Sequence, residues 1–459
     1  MASFQHNNEC SQLNNSNEIT VNIEIIKGKL YWISSMLPPT DVHYFNIDNK
    51  LKYLKYYKDF GPVCTANIVN FCRVVKRYLF QDQNYKNKPL FFHSSNEKEK
   101  QSNAALLISA FQVIVLNQSV DSVWDKIKDL DLLPFRDASY NEVCSYQCTI
   151  FDCLKAIKRA IDIGWFNVET FNIKEYEKLE DQESGNISII IPNKIAALRG
   201  PVSEKNIEQN QVKTRYYRIS PEQLIPQLKS IKVQTIIRCN SPEEYDKFTF
   251  SQHNIDHFDL PFPDGSCPKD DLIKQFVEIV DNSNGLVGVH CKAGLGRTGT
   301  LIACYAIQKY NFPAREIIAW TRLCRSGSIL GKQQQFLLHF EQILKEQGLF
   351  KQENSSDSSD LESQKSGIEQ VLSEKQVNNS TNVQEQQLKQ QNQKDKNPNY
   401  KKINIWSCFG GIFKKKNQEK TKINIENIDF YKEEPNQAEK LIELQNKALS
   451  KKVNQKKKQ

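Results

Sequence analysis

The residues best suited to chemistry are Cys291 and Arg297, in the stretch GVHCKAGLGRTGT over 288–300. A thiolate is a strong nucleophile, and a guanidinium is a planar fork for two phosphate oxygens, a role Lys fills less well. Set six positions apart across a glycine-rich loop that opens a helix, they suit attack on a phosphate ester. Backbone N–H groups at a helix N-terminus converge on a dianion, and glycines let the chain curl closely round it. The helix end and Arg297 are expected to favour the Cys291 thiolate. Thr298 can donate its hydroxyl to that sulfur and make it a better leaving group later. His290 is expected to orient the loop through hydrogen bonds, as a buried and satisfied histidine would.

The same stretch fits a second pattern. Gly294, Gly296 and Gly299 read G-x-G-x-x-G, a dinucleotide fingerprint that wants a second strand and an acid about 20 positions on. Around position 319 the chain reads EIIAWTRLC, which is helical and ends in basic residues. No second strand arrives, so the phosphate-ester reading explains more residues.

Breaking a phosphate ester also needs a proton for the leaving oxygen. Asp264, in FDLPFPDGSCP, lies in a Pro/Gly-rich loop upstream of Cys291 and is the candidate general acid. Asp259, Asp270 and Asp271 are its rivals, since an aspartate in a turn is by default a turn-former.

Elements must position these groups. TVNIEII, KLYWISS and KPLFFHSS read as strands, and NAALLISAFQVIVL as a buried helix. ISIIIP, VQTIIRC and GLVGVH read as further strands, with helices at GTLIACYAIQKYN and AREIIAWTRLCR. Alternating strands and helices imply an α/β fold. The predicted organisation is a polar N-terminus over 1–20, an α/β domain over 21–165, an acidic helical linker over 166–185, a second α/β domain over 186–350, and a Gln/Asn/Lys-rich unfolded tail over 351–459. The two domains look like an internal repeat. His93, Ser94 and Lys100 in the first fall where His290, Cys291 and Arg297 fall in the second.

Bulk properties bound the rest. The 459 residues are 39% hydrophobic, enough for two cores, and the mean hydropathy of −0.60 marks a partly unfolded chain. From residue 351 onward 21 lysines face 15 acids, so +6 of the net +8 belongs to the tail. The body at +2 does not argue for nucleic-acid binding. No secretory signal or membrane-spanning run is read. The twelve cysteines lack framework spacing and read as free thiols.

Several motifs now agree in order and spacing: HYFNIDNKLKY, YKDFGPV, LLPFRDAS, YEKLEDQESG, HFDLPFPDGS, the Cys291 loop, and REIIAWTRLCRSGSILGKQQQF. Together they resemble the cell-division-cycle-fourteen dual-specificity phosphatases over about residues 25 to 345. The resemblance implies two tandem dual-specificity-phosphatase-like domains, each a mixed sheet flanked by helices, of which the second is catalytic. It implies a phosphocysteine on Cys291, and a phosphoryl group held by Arg297 and by the amides of 292–297. The loop is then His290, Lys292, Ala293, Gly294, Leu295 and Gly296. Asp264 protonates the leaving group and then deprotonates water, with no metal and no cofactor required. In the first domain Ser94 replaces the nucleophile and Lys100 lacks the fork, so that domain should be inert.

The resemblance also implies phosphoprotein substrates with phosphoserine-proline followed by Lys or Arg, selected by an acidic groove, and a role in reversing cyclin-dependent-kinase phosphorylation. Glu177 and Glu180 match the family's acidic positions, with Glu175 beside them; alone, an acidic helix is a solvated face. Gln333 and Gln334 are candidates for positioning water. Asn186 stands where relatives carry an acid, and Ser326 and Lys332 where relatives often carry Pro. The implied compartments are nucleus and cytoplasm, with nucleolus or centrosome and basal body. The alternatives are a phosphoinositide phosphatase, disfavoured because Leu295 stands where lipid phosphatases carry a second Lys, and an inactive phospho-binding adaptor, disfavoured because Cys291, Arg297 and Asp264 are all present.

Cys144, Cys148 and Cys153 lack metal-ligand spacing and read as core thiols, and Cys267 is weighed as an oxidation partner for Cys291. In the tail, INIWSCFGGIFKKK over 403–416 carries Trp406, Phe409, Ile412 and Phe413 ahead of three lysines. It suits weak contact with a membrane surface or a partner groove, with Cys408 open to acylation, or is a chance cluster in an unfolded segment.

Overall fold

The computed structural model describes residues 19–350, except 41, 50, 52, 54, 84–87, 141–143 and 212–218, together with 429–432, 437, 438 and 440–443. All of these fall in one compact unit. The 403–416 stretch and Cys408 lie outside the described residues. Among the described residues no helix is long and apolar enough to cross a membrane.

In the first half, Leu90–Ser94 (β4) is buried at every position, as a strand covered on both faces must be. It pairs in parallel with Leu30–Ser35 (β2) and with His43–Asn46 (β3). Ile19–Ile26 (β1) adds antiparallel outside β2. Thr65–Phe80 (α1) packs on this sheet. Lys98–Ile114 (α2) follows β4 and is buried from Gln101 to Val113. Val120–Asp125 (α3) and Ile150–Asp162 (α4) complete the half. Helix α4 opens on a reciprocal cap between Thr149 and Asp152, a device worth about 1 kcal/mol.

The second half repeats the plan. Ile187–Ile191 (β5) and Ile195–Arg199 (β6) are antiparallel. Leu286–Cys291 (β9), Val233–Arg238 (β7) and Asp256–Asp259 (β8) continue in parallel, in the order β5-β6-β9-β7-β8. The first sheet, β1-β2-β4-β3, has the pattern of the first four strands of the second. In each sheet the helix that follows the central strand is buried: α2 after β4, and Gly296–Tyr310 (α10) after β9. The duplicated layout supports reading the two halves as an internal repeat. The sequence reading proposes no strand at β3 or β6. Composition alone makes IAALR of β6 as good a helix as a strand, and its flanking strands decide the matter.

The halves are not beads on a string. Their buried side chains form one continuous cluster. Arg159 meets Glu316 at 2.6 Å, Arg315 meets Asp152 at 2.7 Å, and Gly331 N–H donates to Asp137 at 2.6 Å. Ala314–Cys324 (α11) supplies two of these residues.

Two expectations change. The linker helix, expected over 166–185, is the eight-residue Ile173–Glu180 (α5) with a short 3-10 turn at Gln182–Ser184. Asn172 caps it by accepting from Glu175 N–H, and Asp181 turns extended and caps the 3-10 turn instead. The second change concerns the tail, expected to be unfolded from 351 to 459. Its described residues between 429 and 443 pack on the body. Ala438, Leu441 and Ile442 recur at helical spacing and are buried with Tyr56, Ala138, Ala293, Leu295 and Leu330. The cause is an apolar helical face that finds a matching groove.

Candidate active site

The central strand β9 ends at Cys291 and α10 begins at Gly296, so residues 292–295 form the turn between them. Cys291 is 2% exposed. Gly294 has φ +70°, and a side chain there would place its Cβ 2.0 Å from the Leu198 carbonyl oxygen of β6. The strand behind the loop thus dictates glycine at that point. Among the described residues, no hydrogen bond uses the amides of residues 293–297 as donors. Five backbone donors without acceptors, at the start of a helix, make an anion cradle.

Arg297 and Thr298 lie one and two residues into α10. Arg297 donates to the Phe262 carbonyl at 2.9 Å and the Cys239 carbonyl at 3.2 Å. Its Nε and the Thr298 hydroxyl are buried without a protein partner. Buried donors left so are costly, and these two belong to residues assigned to phosphate and to the sulfur. The expected Thr298 to Cys291 hydrogen bond is not formed.

Asp264 comes to Arg297 from the loop after β8, with Oδ1 3.1 Å from the guanidinium. Its rivals are occupied elsewhere. Asp259 pairs with Arg238 at 2.6 Å and Lys247 at 3.8 Å. Asp270 and Asp271 sit in the first turn of Asp270–Asn282 (α9), where a helix favours acids.

His290 is fully buried and anchors a relay the sequence reading missed. Its Nδ1 lies 3.2 Å from the Cys291 carbonyl, which can only accept, so Nδ1 carries the proton. Nε2 then accepts from the Tyr245 hydroxyl at 2.6 Å, and that oxygen accepts from His257 Nε2 at 2.8 Å. Burial above all pushes His290 down to about 3 and His257 to about 4, so both are neutral at pH 7. The register of β8, β7 and β9 brings His257 and His290 together, and Tyr245 reaches them from the end of the 3-10 turn Pro242–Glu244 after β7.

The remaining sequence candidates separate. Lys292 lies 3.9 Å from Glu244. Leu295 is 2% exposed and packs with Leu441 and Ile442. Packing explains its apolar type, so the contrast with a lysine says less about substrate than the sequence suggests. Glu177 is exposed on α5. Glu180 is half-buried and bonded to Tyr176 at 2.7 Å, and burial pushes its carboxyl up. Glu175 is apart from both, on the side of α5 that lines a cavity of about 590 Å³ with Trp165 and Trp320. Gln333 clamps the acid loop by donating to Ser266 O at 3.1 Å. Gln334 accepts from Arg322 at 2.5 Å and donates to the Gly331 carbonyl at 2.9 Å. Lys332, one of the departures, donates to Asp429 O at 3.0 Å and to Lys432 O.

The docked segment reaches the acid itself. Ala438 N–H donates to Asp264 Oδ2 at 3.0 Å, and Phe430 O accepts from Cys267 N–H at 2.8 Å. With Arg297 on Oδ1, both carboxylate oxygens accept from donors. Cys267 is therefore part of this dock. The thiol in register beside the Cys291 strand end is Cys239, just past β7, which burial and Cys291 push up.

The first half lacks this equipment. Ser94 is fully buried and accepts from Trp32 Nε1 at 3.1 Å, while Lys100 pairs with Glu97 on the surface at 2.7 Å. His93 sits between Asn46 and Ser35 O, and among the described residues no tyrosine hydroxyl bonds to it.

A cysteine loop between a buried strand and helix, with an arginine and an aspartate converging on it, is the site of the cysteine-dependent dual-specificity phosphatase class. The family of the dual specificity protein phosphatase N-terminal half matches residues 24–160, and a DSP-PTPase phosphatase domain matches 218–337. The chain is 42% identical to mouse dual specificity protein phosphatase CDC14B over 301 residues, 65% of this chain and 60% of that one. With human CDC14C it shares 41% over 301 residues, 65% of this chain and 66% of that one. The chain belongs to the CDC14 family of dual specificity protein phosphatases. These matches span less than two thirds of each relative's own length.

Proposed function

We propose that the protein is a dual-specificity protein phosphatase acting on phosphoserine-proline, phosphothreonine-proline and phosphotyrosine. The observation that carries this reading is the cradle of unengaged amides over 293–297, with Cys291 at its mouth and Arg297 paired to Asp264 beside it. The Cys291 thiolate attacks phosphorus, the ester P–O bond breaks, and protonated Asp264 gives its proton to the leaving oxygen. Water then attacks the S–P bond, Asp264 takes the water's proton, and the thiolate leaves with inorganic phosphate released. Arg297 and the amides hold the equatorial oxygens through both steps.

On this reading the preferred substrate carries a Lys or Arg downstream of Ser-Pro, met by Glu177 and Glu180 of α5, as in reversal of cyclin-dependent-kinase phosphorylation in the cell cycle. The enzyme then works in nucleus and cytoplasm. Hydrolysis of phosphoserine-proline peptides, with and without a downstream Lys, against short-chain phosphoinositides tests this. The peptide with Lys should be the best substrate, and Glu177→Lys should remove that preference while sparing an aryl phosphate. Equal or better turnover of phosphoinositides would sink the protein-substrate reading.

A further inference from the structure

Against the phosphate loop lies Arg325, the residue just past α11. It is 3% exposed. Its Nε donates to the Gly294 carbonyl at 2.7 Å, and one terminal nitrogen reaches the Ala293 carbonyl at 3.4 Å and Asn186 Oδ1 at 2.7 Å. The other donates to Asn186 O at 2.7 Å and Ser188 Oγ at 3.1 Å. Every acceptor is neutral, and among the described residues Arg325 takes part in no ion pair. The nearby carboxyl that interacts with it, Glu180, is bonded to Tyr176 instead.

Two consequences follow from elementary geometry. In a trans peptide the carbonyl of one residue and the N–H of the next point in opposite directions. Holding the Ala293 and Gly294 carbonyls toward Arg325 therefore turns the Gly294 and Leu295 N–H groups the other way, and these amides are two of the five without an acceptor. A charge-assisted bond to a carbonyl also polarises its peptide and strengthens the N–H beyond it. The second consequence concerns charge. A buried cation with only neutral partners is expensive, and an anion bound in the loop would relieve it. Asn186 helps hold Arg325: its side-chain oxygen accepts from Arg325 and its side-chain nitrogen donates to the Glu180 carbonyl at 2.9 Å.

We propose that Arg325 is a positioning residue for the phosphate loop, and that its buried charge adds to the loop's hold on a tetrahedral dianion. This rests on the reading of the loop as a phosphoryl site. The test is calorimetric titration of the full chain with inorganic phosphate, alongside kcat and KM on an aryl phosphate. Arg325→Gln should weaken phosphate by about tenfold or more, and Arg325→Lys, which keeps the charge but not the fork, should recover part of it. A purely structural anchor would leave the two folded variants with the same phosphate affinity, whatever their charge. Phosphate bound as tightly as wild type by a folded Arg325→Gln chain, or equally by Arg325→Gln and Arg325→Lys, would overturn the proposal and leave the phosphoryl site standing. Failure of the wild-type chain to bind phosphate would overturn the phosphoryl site itself, and the role of Arg325 with it.

Discussion

Asp264 Oδ1 and Arg297 lie 3.1 Å apart, and the other Asp264 oxygen accepts from Ala438 N–H. The candidate acid is thus fastened to the residue that would hold the substrate's phosphate. If Asp264 supplies the leaving group's proton, its importance must depend on how much that leaving group needs one. Asp264→Asn should slow a phosphoserine peptide on the order of a hundredfold or more. A nitrophenyl phosphate, whose phenoxide leaves unaided, should suffer far less. Steady-state rates on both substrates check this, and equal losses would assign Asp264 to positioning instead.

The contact with Ala438 makes a separate prediction for the segment that carries it. Hydrogen exchange followed by mass spectrometry should find residues 437, 438 and 440–443 protected in the wild-type chain, because Leu441 and Ile442 are buried against Leu295 and Leu330. Leu441→Asp should release the whole segment by burying an unpaired charge. Asp264→Ala should speed exchange chiefly at Ala438. Exchange as fast as in an isolated peptide would contradict the docked arrangement.

The Tyr245 relay gives stability a pH dependence. His290 and His257 titrate near 3 and 4 in the folded chain, against about 6.5 when unfolded. Between those values the unfolded state binds more protons, so stability is full above about 6.5 and is lost as pH falls. Denaturant midpoints should drop from pH 7.5 to 5.5, a window in which most carboxylates stay ionised. His257→Gln, which keeps a donor for Tyr245, should shallow that drop. An identical drop in the variant would remove His257 from the account.

Gly294→Ala tests the loop's backbone. The added methyl meets the Leu198 carbonyl at 2.0 Å in a left-handed conformation. Relief requires the loop to move off β6, so turnover should fall by about a hundredfold or more, with a stability loss of about 1–3 kcal/mol. Rates and denaturant midpoints measure both, and near-normal turnover would show that the loop adapts.

Some of this was legible in the chain and some was not, for physical reasons. Cys291 and Arg297 are close in sequence, so a single loop carries both, and the strands GLVGVH and VQTIIRC are β-branched runs that announce themselves. Asp264 could not be separated from Asp259, Asp270 and Asp271 by spacing, because what separates them is partners: Arg238 holds Asp259, and α9 takes the other two. The Tyr245 relay and the Arg325 anchor are invisible in linear order, since strand register and a helix end assemble them. The docked segment hides in a polar tail because only three apolar residues mark its face. Glu175 and Glu177 look alike in the sequence, yet a helix sends them to different sides.

The central claim is that Cys291 carries the phosphoryl group. Its most direct test is an acid quench of the Asp264→Ala chain within milliseconds of mixing with a nitrophenyl phosphate, whose phenoxide leaves without the acid, followed by mass spectrometry. The account predicts one added phosphate on the peptide containing Cys291, and none in Cys291→Ser. Steady hydrolysis of the nitrophenyl phosphate by Cys291→Ser would contradict it.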